Sequence, residues 1–490
     1  MIAITCILML YAVIGVLSAY SCDIDLSHSV TQVEPLKGLV FFQDLAASKD
    51  TDYNGAISLE FLYCLPSDVV TGKSGETVTY DWTNFETKLD DIKSRNHQAI
   101  VRFRYEHPGQ NAAIPQYIRD LAGYSPTTFT LPDETTPTEY VDWANSEIQW
   151  FSKQFLTDFA TKYDSDPRIG FIQLGFGHWS EYHIYGNTNF ALGVNFPTKE
   201  YQAEYFTRAN TVFLKTPYSF SISVGDGSYA PGPTDATFRE NTFGLFDDSF
   251  MHETHEISSN EDDGWNEKLH NAVKYLGTNE ASTPLRWTKA PIGGEISYYT
   301  STDQHNFLSP DGMYGTTWAA ASAKYHITYM FANDVLDGSY GSVTSVTNAG
   351  KIVGYSLQIS KYKRLGEVIT VTVKNNGIAP MYHEVFVEIV QSTDSVAPTS
   401  TDARIAGRNT EITKSTTSII HLLPGASADV TITLSQPSLP VIDVQLSSPK
   451  LYEGQYIPYY ADCKVNNSAS MPLASVLGLM AVVFATVLAL

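Results

Sequence analysis

The stretch 140–176, "YVDWANSEIQWFSKQFLTDFATKYDSDPRIGFIQLGF", contains both repeating elements of the fold. Its first part places apolar residues at three- and four-residue steps, the spacing of an amphipathic helix. It ends in "IGFIQLGF" (169–176), a short apolar run that is typical of a β-strand buried on both faces. A helix followed directly by such a strand predicts parallel sheet covered by helices.

The same two patterns recur along the chain up to residue 331. The apolar runs are "GLVFF" (38–42), "AISLEFLY" (56–63), "AIVRFRY" (99–105), "IGFIQLGF" (169–176), "SFSISV" (219–224), "FGLFDDSF" (243–250), "APIGGEI" (290–296) and "YHITYMF" (325–331). A second amphipathic pattern, "DWTNFETKLDDIKSR" (81–95), precedes the third run. We expect no full helix between the first two runs, because their connection is short.

Eight such strands predict a (β/α)8 TIM barrel, which typically takes about 250 residues. A doubly wound sheet is the alternative, but no G-x-G-x-x-G phosphate loop follows any run. From about residue 350 the pattern becomes apolar–polar alternation with turn signals, as in "EVITVTVKNNG" (367–377), which predicts an all-β sandwich domain. The predicted organisation is a signal peptide (1–21), the barrel (22–345), the β-sandwich (346–446), a linker (447–470) and a removed GPI-attachment signal (471–490).

The two ends of the chain predict an extracellular, membrane-anchored protein. Residues 1–21 contain an apolar run and a small-residue cleavage site before Cys22, the pattern of a secretory signal peptide. The apolar tail, from Val476 to Leu490, has no following basic residue and resembles a GPI-attachment signal, with a true membrane anchor as the alternative. Cys22 and Cys463 could form a disulfide that joins the two ends of the folded region, whereas we expect Cys64 to be a buried thiol.

The formal net charge of −22 disfavours nucleic acid as a partner and favours solubility. We expect no cofactor, because neither a P-loop nor a Cys/His zinc spacing occurs. The motif "HETH" (252–255) differs from the H-E-x-x-H of metalloproteases and has no third ligand in view, so we expect no metal.

Candidate catalytic residues follow from the predicted barrel, whose active sites lie at the carboxyl ends of the strands. The fourth run ends in "GHWSEYH" (177–183), which contains Glu181, and the seventh ends in "GGEI", which contains Glu295. Two carboxyl groups that converge from different strands are the minimum for glycoside hydrolysis. Trp179 would give a sugar ring a flat apolar face, and the glycines before Glu295 would let a ligand approach the backbone. A salt bridge or helix cap is the alternative role for each glutamate.

Other strand ends supply further candidates for contacts with a carbohydrate. These are His178, His183, Tyr105, Glu60, Arg104 and Asp248. Alternation along the third run points Arg102 and Arg104 into the barrel, where an arginine needs a partner such as Glu60 or a catalytic carboxylate.

The chain resembles the DUF4832 family over about residues 35–440, through "ISLEFLY", "DPRIGFIQLGFGHWSEYH", "APIGGEI" and "NNGIAPMY". The resemblance implies a glycoside-hydrolase-like barrel with a trailing β-sandwich. Where the family reads W-G-E-W-H, this chain has Ser180 and Tyr182 in place of the Gly and the second Trp. Analogy with retaining hydrolases on this barrel implies that Glu181 is the acid/base and Glu295 the nucleophile.

Three functions remain open at this stage. The leading hypothesis is a surface-anchored glycosidase acting on a polysaccharide or glycan. The second is a catalytically inactive carbohydrate-binding or adhesion protein, and the third is a structural coat protein. The separation of the two carboxyl groups, and the space around them, distinguishes the first from the second.

Overall fold

A computed structural model describes residues 29–132, 134–183, 188–225, 227–232, 234–252, 286–300, 302–392, 410–452 and 455–461. The predictions for the signal peptide, Cys22, Cys463, the GPI signal and residues 253–255 of "HETH" lie outside these ranges. Within the ranges, no helix combines the length and the apolar character that crossing a bilayer demands.

Eight parallel strands close into a barrel, which confirms the predicted (β/α)8 fold. They are β1 (Gly38–Phe42), β2 (Leu59–Cys64), β3 (Gln98–Phe103), β4 (Ile169–Leu174), β5 (Tyr218–Ser221), β6 (Gly244–Phe250), β7 (Ile292–Ile296) and β8 (Tyr329–Phe331). Each strand pairs with its neighbours along the chain, and β8 closes the barrel by pairing with β1. Each of the eight apolar runs overlaps one of these strands.

Helices follow most of the strands. They are α1 (Gln43–Tyr53), α2 (Thr83–Ser94), α3 (Ser146–Tyr163), α4 (Lys199–Val212), α5 (Ala236–Glu240), α6 (Trp318–Tyr325) and α7 (Val343–Lys351), with single turns at Pro66–Val69, Gln116–Arg119 and Asp303–Asn306. Two antiparallel hairpins lie outside the barrel sheet and pair Val70–Ser74 with Thr77–Tyr80 and Thr127–Phe129 with Thr138–Tyr140. The expectation of no helix between the first two strands was wrong, because α1 begins directly at the end of β1.

Helix α3 shows why the opening stretch folds as it does. The Asn145 side chain accepts a hydrogen bond from the Glu147 amide and so caps the helix. Phe151, Phe155 and Phe159 then lie on one face at four-residue steps, fully buried against the barrel. Burying one such side chain contributes about 1.5–3 kcal/mol, so this face alone fixes the helix on the sheet.

Two antiparallel sheets form the second domain. Their strands are β9 (Leu357–Leu365), β10 (Val368–Asn375), β11 (Phe386–Ser392), β12 (Thr410–Lys414), β13 (Ser427–Thr433), β14 (Val441–Ser447) and β15 (Tyr460–Ala461). One sheet has the order β13–β10–β9, with the short strand β15 parallel to β9, and the other has the order β12–β11–β14. Side chains of both sheets, including Val371, Ile389 and Val444, share one buried cluster, as the predicted β-sandwich requires.

The sandwich covers the amino-terminal end of the barrel. Gln98, the first residue of β3, donates to the Gln455 side chain at 2.7 Å. Phe171 near the start of β4 contacts the His383 ring, with centroids 5.3 Å apart. Tyr355 donates to the carbonyl of Pro35, just before β1, at 2.8 Å. The opposite end of the barrel, where the strands end, therefore carries the loops that can form a site.

The domain limits differ from those predicted. The proposed boundary at residue 346 falls inside α7, whose Val346 and Ala349 belong to the barrel core. The proposed linker (447–470) contains β15, which pairs with β9, and Lys450, which is buried and donates to the carbonyl of Asp164 at 2.7 Å. The described part of that segment is therefore integral to the sandwich and its contact with the barrel.

Candidate active site

Arg102 lies at the centre of the carboxyl end of the barrel. Its register partners on the two neighbouring strands are Tyr63 and Gln173, so its side chain points inward as alternation predicted. The guanidinium group is fully buried and lies between the rings of Phe61 and Phe246, at 4.9 and 4.6 Å from their centroids. Its Nε donates to Gln173 Oε1 at 2.7 Å, which fixes the orientation of the planar group.

Both predicted catalytic carboxyl groups bind this guanidinium. Nη1 donates to Glu181 Oε1 and, at 3.3 Å, to the carbonyl of Trp179, while Nη2 donates to Glu295 Oε1 at 2.9 Å. Glu181 comes from the loop after β4 and Glu295 from β7. The structure thus brings together two residues that are distant in the chain. The sequence left open whether Arg102 pairs with Glu60 or with a catalytic carboxylate, and Arg102 pairs with both predicted catalytic carboxyl groups.

A histidine and a third carboxyl group complete the cluster. His183 Nε2 lies 3.3 Å from Glu181 Oε2 and 3.0 Å from Asp248 Oδ2. His183 is the most open member, with 35% of its side chain exposed, compared with 15% for Glu295, 14% for Asp248 and 6% for Glu181. His183 and Asp248 therefore lie where they were predicted, beside Glu181.

The pKa values of the two glutamates are moved in opposite directions. Burial acts to raise the pKa of Glu181, but Arg102 and His183 outweigh it and hold that pKa below its ordinary value. Burial, followed by the negative charge of Glu181, raises the pKa of Glu295 well above its ordinary value despite Arg102. A proton shared by the pair therefore lies preferentially on Glu295 and not on Glu181, the reverse of the roles implied by strand position.

His183 supplies the compensating positive charge. Burial acts to lower its pKa, but Asp248 and Glu181 raise the pKa to about 10, so the ring is protonated near neutral pH. One ligand atom from each of Glu181, His183 and Asp248 lies within 4.8 Å of the others, a grouping that could hold a metal ion. The expected absence of a metal at these residues therefore stays a prediction from the sequence.

The loop 177–183 reaches its position through left-handed backbone. Trp179, Ser180 and Tyr182 have φ values of 54°, 66° and 63°, a region that non-glycine residues rarely occupy and that clusters at functional sites. The Ser180 hydroxyl donates to the carbonyl of Phe103, so this side chain is held against the end of β3. Tyr182 is fully buried and donates to Gln202 on α4 at 2.9 Å, so it offers no platform to a sugar.

Trp179 and His178 have different environments. The Trp179 ring is half-buried and makes edge contacts with His107 and His183, with centroids 5.8 and 5.2 Å apart, so it stands beside the carboxyl groups as predicted. His178 is sealed beneath it: its Nε2 lies 2.6 Å from the Tyr140 hydroxyl, and burial lowers its pKa to about 3. His178 therefore supports the loop and does not face the mouth of the barrel.

Two further predicted residues lie away from the mouth. Glu60 is the second residue of β2 and faces outward, where it accepts hydrogen bonds from Arg95 at 2.8 and 2.7 Å and lies 2.7 Å from His97. Tyr105 is also buried outside the barrel, with its ring 5.7 Å from Trp143. The prediction that Glu60 contacts substrate was wrong, because Glu60 occupies the outward phase of the strand alternation. The prediction for Tyr105 stays a prediction, because Tyr105 also lines a cleft on the loop side of β3.

The glycines before Glu295 also have a different purpose from the predicted one. A Cβ on Gly293 would lie 2.3 Å from the Tyr329 ring, and one on Gly294 would lie 2.0 Å from the carbonyl oxygen of Asp247. Gly294 has a φ of 138° as well. These positions accommodate a neighbouring ring and strand, not a ligand, and they let β7 pack closely enough to present Glu295 to Arg102.

Arg104 points toward the mouth, as alternation along β3 predicted. Its guanidinium carbon lies 4.6 Å from the centroid of Tyr63, and only 7% of the residue is exposed. Sequence reasoning missed the contributions of Gln173, which orients Arg102, and of Tyr63 and Tyr298, whose pKa values are raised first by burial and also by Glu295. The inward phase of the strands could have identified Tyr63 and Gln173.

Comparison with solved structures finds distant likenesses among glycoside hydrolases. The chain is similar to a GH39 β-xylosidase from Caulobacter crescentus (7% identity, TM-score 0.36, 75% of this chain and 84% of that one). It is similar also to a GH39 enzyme from Xanthomonas axonopodis pv. citri (9%, 0.35, 84% and 96%) and to a GH113 β-1,4-mannanase (9%, 0.32, 65% and 98%). No protein-family model and no curated protein matches the chain. Likenesses this distant do not bear on the chemistry of the site.

Proposed function

We propose that this protein is a glycoside hydrolase that cleaves a polysaccharide or glycan with Glu181 and Glu295. The single observation that carries the proposal is the convergence of these two carboxyl groups on Arg102 at the mouth of the barrel, with their pKa values moved in opposite directions. Glycosidases divide the roles of acid and base between two carboxyl groups whose pKa values are moved in opposite directions.

The proton placement gives each residue a role. Protonated Glu295 would donate its proton to the glycosidic oxygen as the bond to the anomeric carbon breaks. Ionised Glu181 would attack that carbon or take a proton from the attacking water, and water completes the hydrolysis. Arg102 and His183 keep Glu181 ionised, and Trp179 offers an apolar face beside it. Strand position predicts the opposite assignment, so the two are tested together.

The experiment compares Glu181→Gln and Glu295→Gln on substrates whose leaving groups differ in acidity. Loss of the proton donor slows the cleavage of poor leaving groups far more than that of a dinitrophenyl glycoside, whereas loss of the base or nucleophile slows both. We expect Glu295→Gln to retain activity on the activated substrate and Glu181→Gln to lose it. The opposite pattern would restore the roles implied by strand position.

The matched control is Glu204→Gln, which removes one exposed charge from α4, where Glu204 pairs with Lys153. Its activity should equal that of the wild type. The substrate comes from a glycan screen that reads both binding and release of reducing ends. If the wild type releases none from any glycan that it binds, the hydrolase proposal fails.

A catalytically inactive carbohydrate-binding protein is the second candidate, favoured by one observation. Arg102 binds both carboxyl groups, and only 6% of the Glu181 side chain is exposed, so Glu181 must be uncovered before it can reach a sugar. Binding without turnover, with equal affinities for the wild type and both glutamine variants, would support this candidate.

The proposed setting is extracellular. A secreted, GPI-anchored protein of the DUF4832 kind would meet glycans at the cell surface, and this part of the proposal rests on the sequence patterns of residues 1–21 and 471–490. Phospholipase release of the protein from cells, with loss of that release on deletion of 471–490, is the corresponding test.

A further inference from the structure

A second polar cleft opens beside the carboxyl pair, on the loop side of β3. It has a volume of about 380 Å³, and its polar lining consists mainly of Arg104, His107, Gln110, Asn111, Gln116 and Arg119. We call it the Arg104 cleft. It lies at the same end of the barrel as Glu181, because Arg104 follows β3 directly.

Arg104 is a buried cation without an acidic partner among the residues that the structure describes. Only 7% of it is exposed, and its Nε has no hydrogen-bond acceptor there. The other deeply buried arginines of β3 and its approach behave differently, since Arg95 pairs with Glu60 and Arg102 with both catalytic carboxyl groups. A buried charge without a partner is costly, which makes Arg104 hard to explain as a stabilising residue.

The other charges of the cleft leave that of Arg104 uncompensated. Arg119 is already paired with Glu139 at 2.7 Å. Burial lowers the pKa of His107, so its ring is neutral near pH 7. Burial lowers the pKa of Arg104 and outweighs the opposing charge of Asp68, which is exposed and forms no ion pair with Arg104 within the described chain. A net positive charge thus persists in a protein whose formal net charge is −22.

Two side chains connect the lining of the cleft with the carboxyl site. Tyr63 contacts Arg104 through its ring and is the register partner of Arg102, and its pKa responds to Glu181 and Glu295. On the other side, the His107 ring borders the cleft and contacts the Trp179 ring. The cleft and the carboxyl site are therefore separated by one side chain on each of these two sides.

We propose that the Arg104 cleft binds the anionic group of an acidic sugar, a carboxylate or a sulfate, adjacent to the sugar held at Glu181 and Glu295. Arginine suits both anions because its planar fork donates two parallel hydrogen bonds. This assignment rests on the proposed function and narrows its substrate class from glycans in general to acidic glycans.

The test uses matched probes and the Glu181→Gln/Glu295→Gln double variant, in which binding is measured without turnover. Oligogalacturonides are compared with their methyl esters, and chondroitin sulfate oligosaccharides with desulfated ones, so the two pairs distinguish carboxylate from sulfate. We expect one acidic probe to bind about ten- to a hundredfold more tightly than its neutral counterpart, the effect of one or two charge-assisted hydrogen bonds. Equal affinities within both pairs would overturn the inference.

The preference should disappear in Arg104→Met and weaken in Arg104→Lys, which keeps the charge but loses the fork. Arg208→Gln, at an exposed position on α4, is the control and should keep the preference. Arg104→Met should melt no lower than the wild type, because it removes an unpaired buried charge; retention of the preference in this folded variant would also refute the assignment.

The two proposals can fail separately. Acidic probes that bind through Arg104 but are never cleaved by the wild type would support the inference and contradict the hydrolase. Cleavage that is confined to neutral glycans and indifferent to Arg104→Met would support the hydrolase and overturn the inference.

Discussion

Replacing Arg102 with methionine tests the electrostatic design of the site. The substitution leaves an unbranched apolar side chain, shorter than arginine, beside Phe61 and Phe246 and removes the donors to Gln173, Glu181 and Glu295. Removing one partner of a buried ion pair costs about 3–5 kcal/mol. Burial and the charge of Glu181 raise the pKa of Glu295 despite Arg102, and Glu181 keeps His183. We therefore expect a loss near the lower limit, about 3 kcal/mol, near neutral pH.

The loss should depend on pH in one direction. Although burial opposes them, Arg102 and His183 lower the pKa of Glu181 in the folded protein. A lowered folded-state pKa stabilises the protein above the unfolded carboxyl value of about 4.3 and ceases to do so as the pH falls through the folded value. The difference between wild type and Arg102→Met should therefore be larger near neutral pH than at about pH 4.

Urea unfolding followed by tryptophan fluorescence measures this difference in the barrel, because all seven tryptophans precede residue 319. Adding Glu181→Gln to Arg102→Met should recover part of the loss, since no ionised partner is then left behind. A loss below about 1 kcal/mol, or one that is the same at both pH values, would refute the proposed charge arrangement.

Three further predictions concern residues around the barrel. Glu60→Gln should lower the free energy of unfolding by about 1.5–3 kcal/mol, because Arg95 loses its buried carboxylate partner and keeps only the more exposed Asp91. Turnover per folded molecule should stay unchanged, since Glu60 faces away from the mouth; reduced turnover with normal folding would return Glu60 to the site. His183→Gln should destabilise the protein fully below about pH 6.5 and progressively less as the pH rises through about 10, because Asp248 and Glu181 raise the pKa of His183 against the effect of burial. A loss in the free energy of unfolding that does not change with pH would contradict this. Burial raises the pKa of the Cys64 thiol, so mass spectrometry should find Cys64 unlabelled by a thiol reagent until the barrel unfolds, and rapid native labelling would show that the barrel opens there.

The barrel was predictable because its strands are buried on both faces and its helices on one. Runs such as "IGFIQLGF" and the four-residue steps of α3 carry that information locally. The convergence of Glu181 and Glu295 was predictable for a related reason, since every strand of a parallel barrel ends at the same face. Inward alternation also placed Arg102 and Arg104 correctly.

The errors arose where the end of an apolar run was taken for the end of a strand. Glu60 belongs to the outward phase near the start of β2. The partner of Glu60 is Arg95, a contact between a strand and the end of a helix that no local pattern specifies. The proton placement on Glu295 depends on burial and on two neighbouring charges in space, so only the structure could reveal it.

A crystal structure of Glu295→Gln with a bound oligosaccharide would test the central claim most directly. We predict a sugar at the mouth of the barrel, with its glycosidic oxygen within hydrogen-bond distance of residue 295 and its anomeric carbon facing the Glu181 carboxylate. A sugar bound elsewhere, with Arg102 still covering Glu181, would contradict the account and leave the barrel as a binding scaffold.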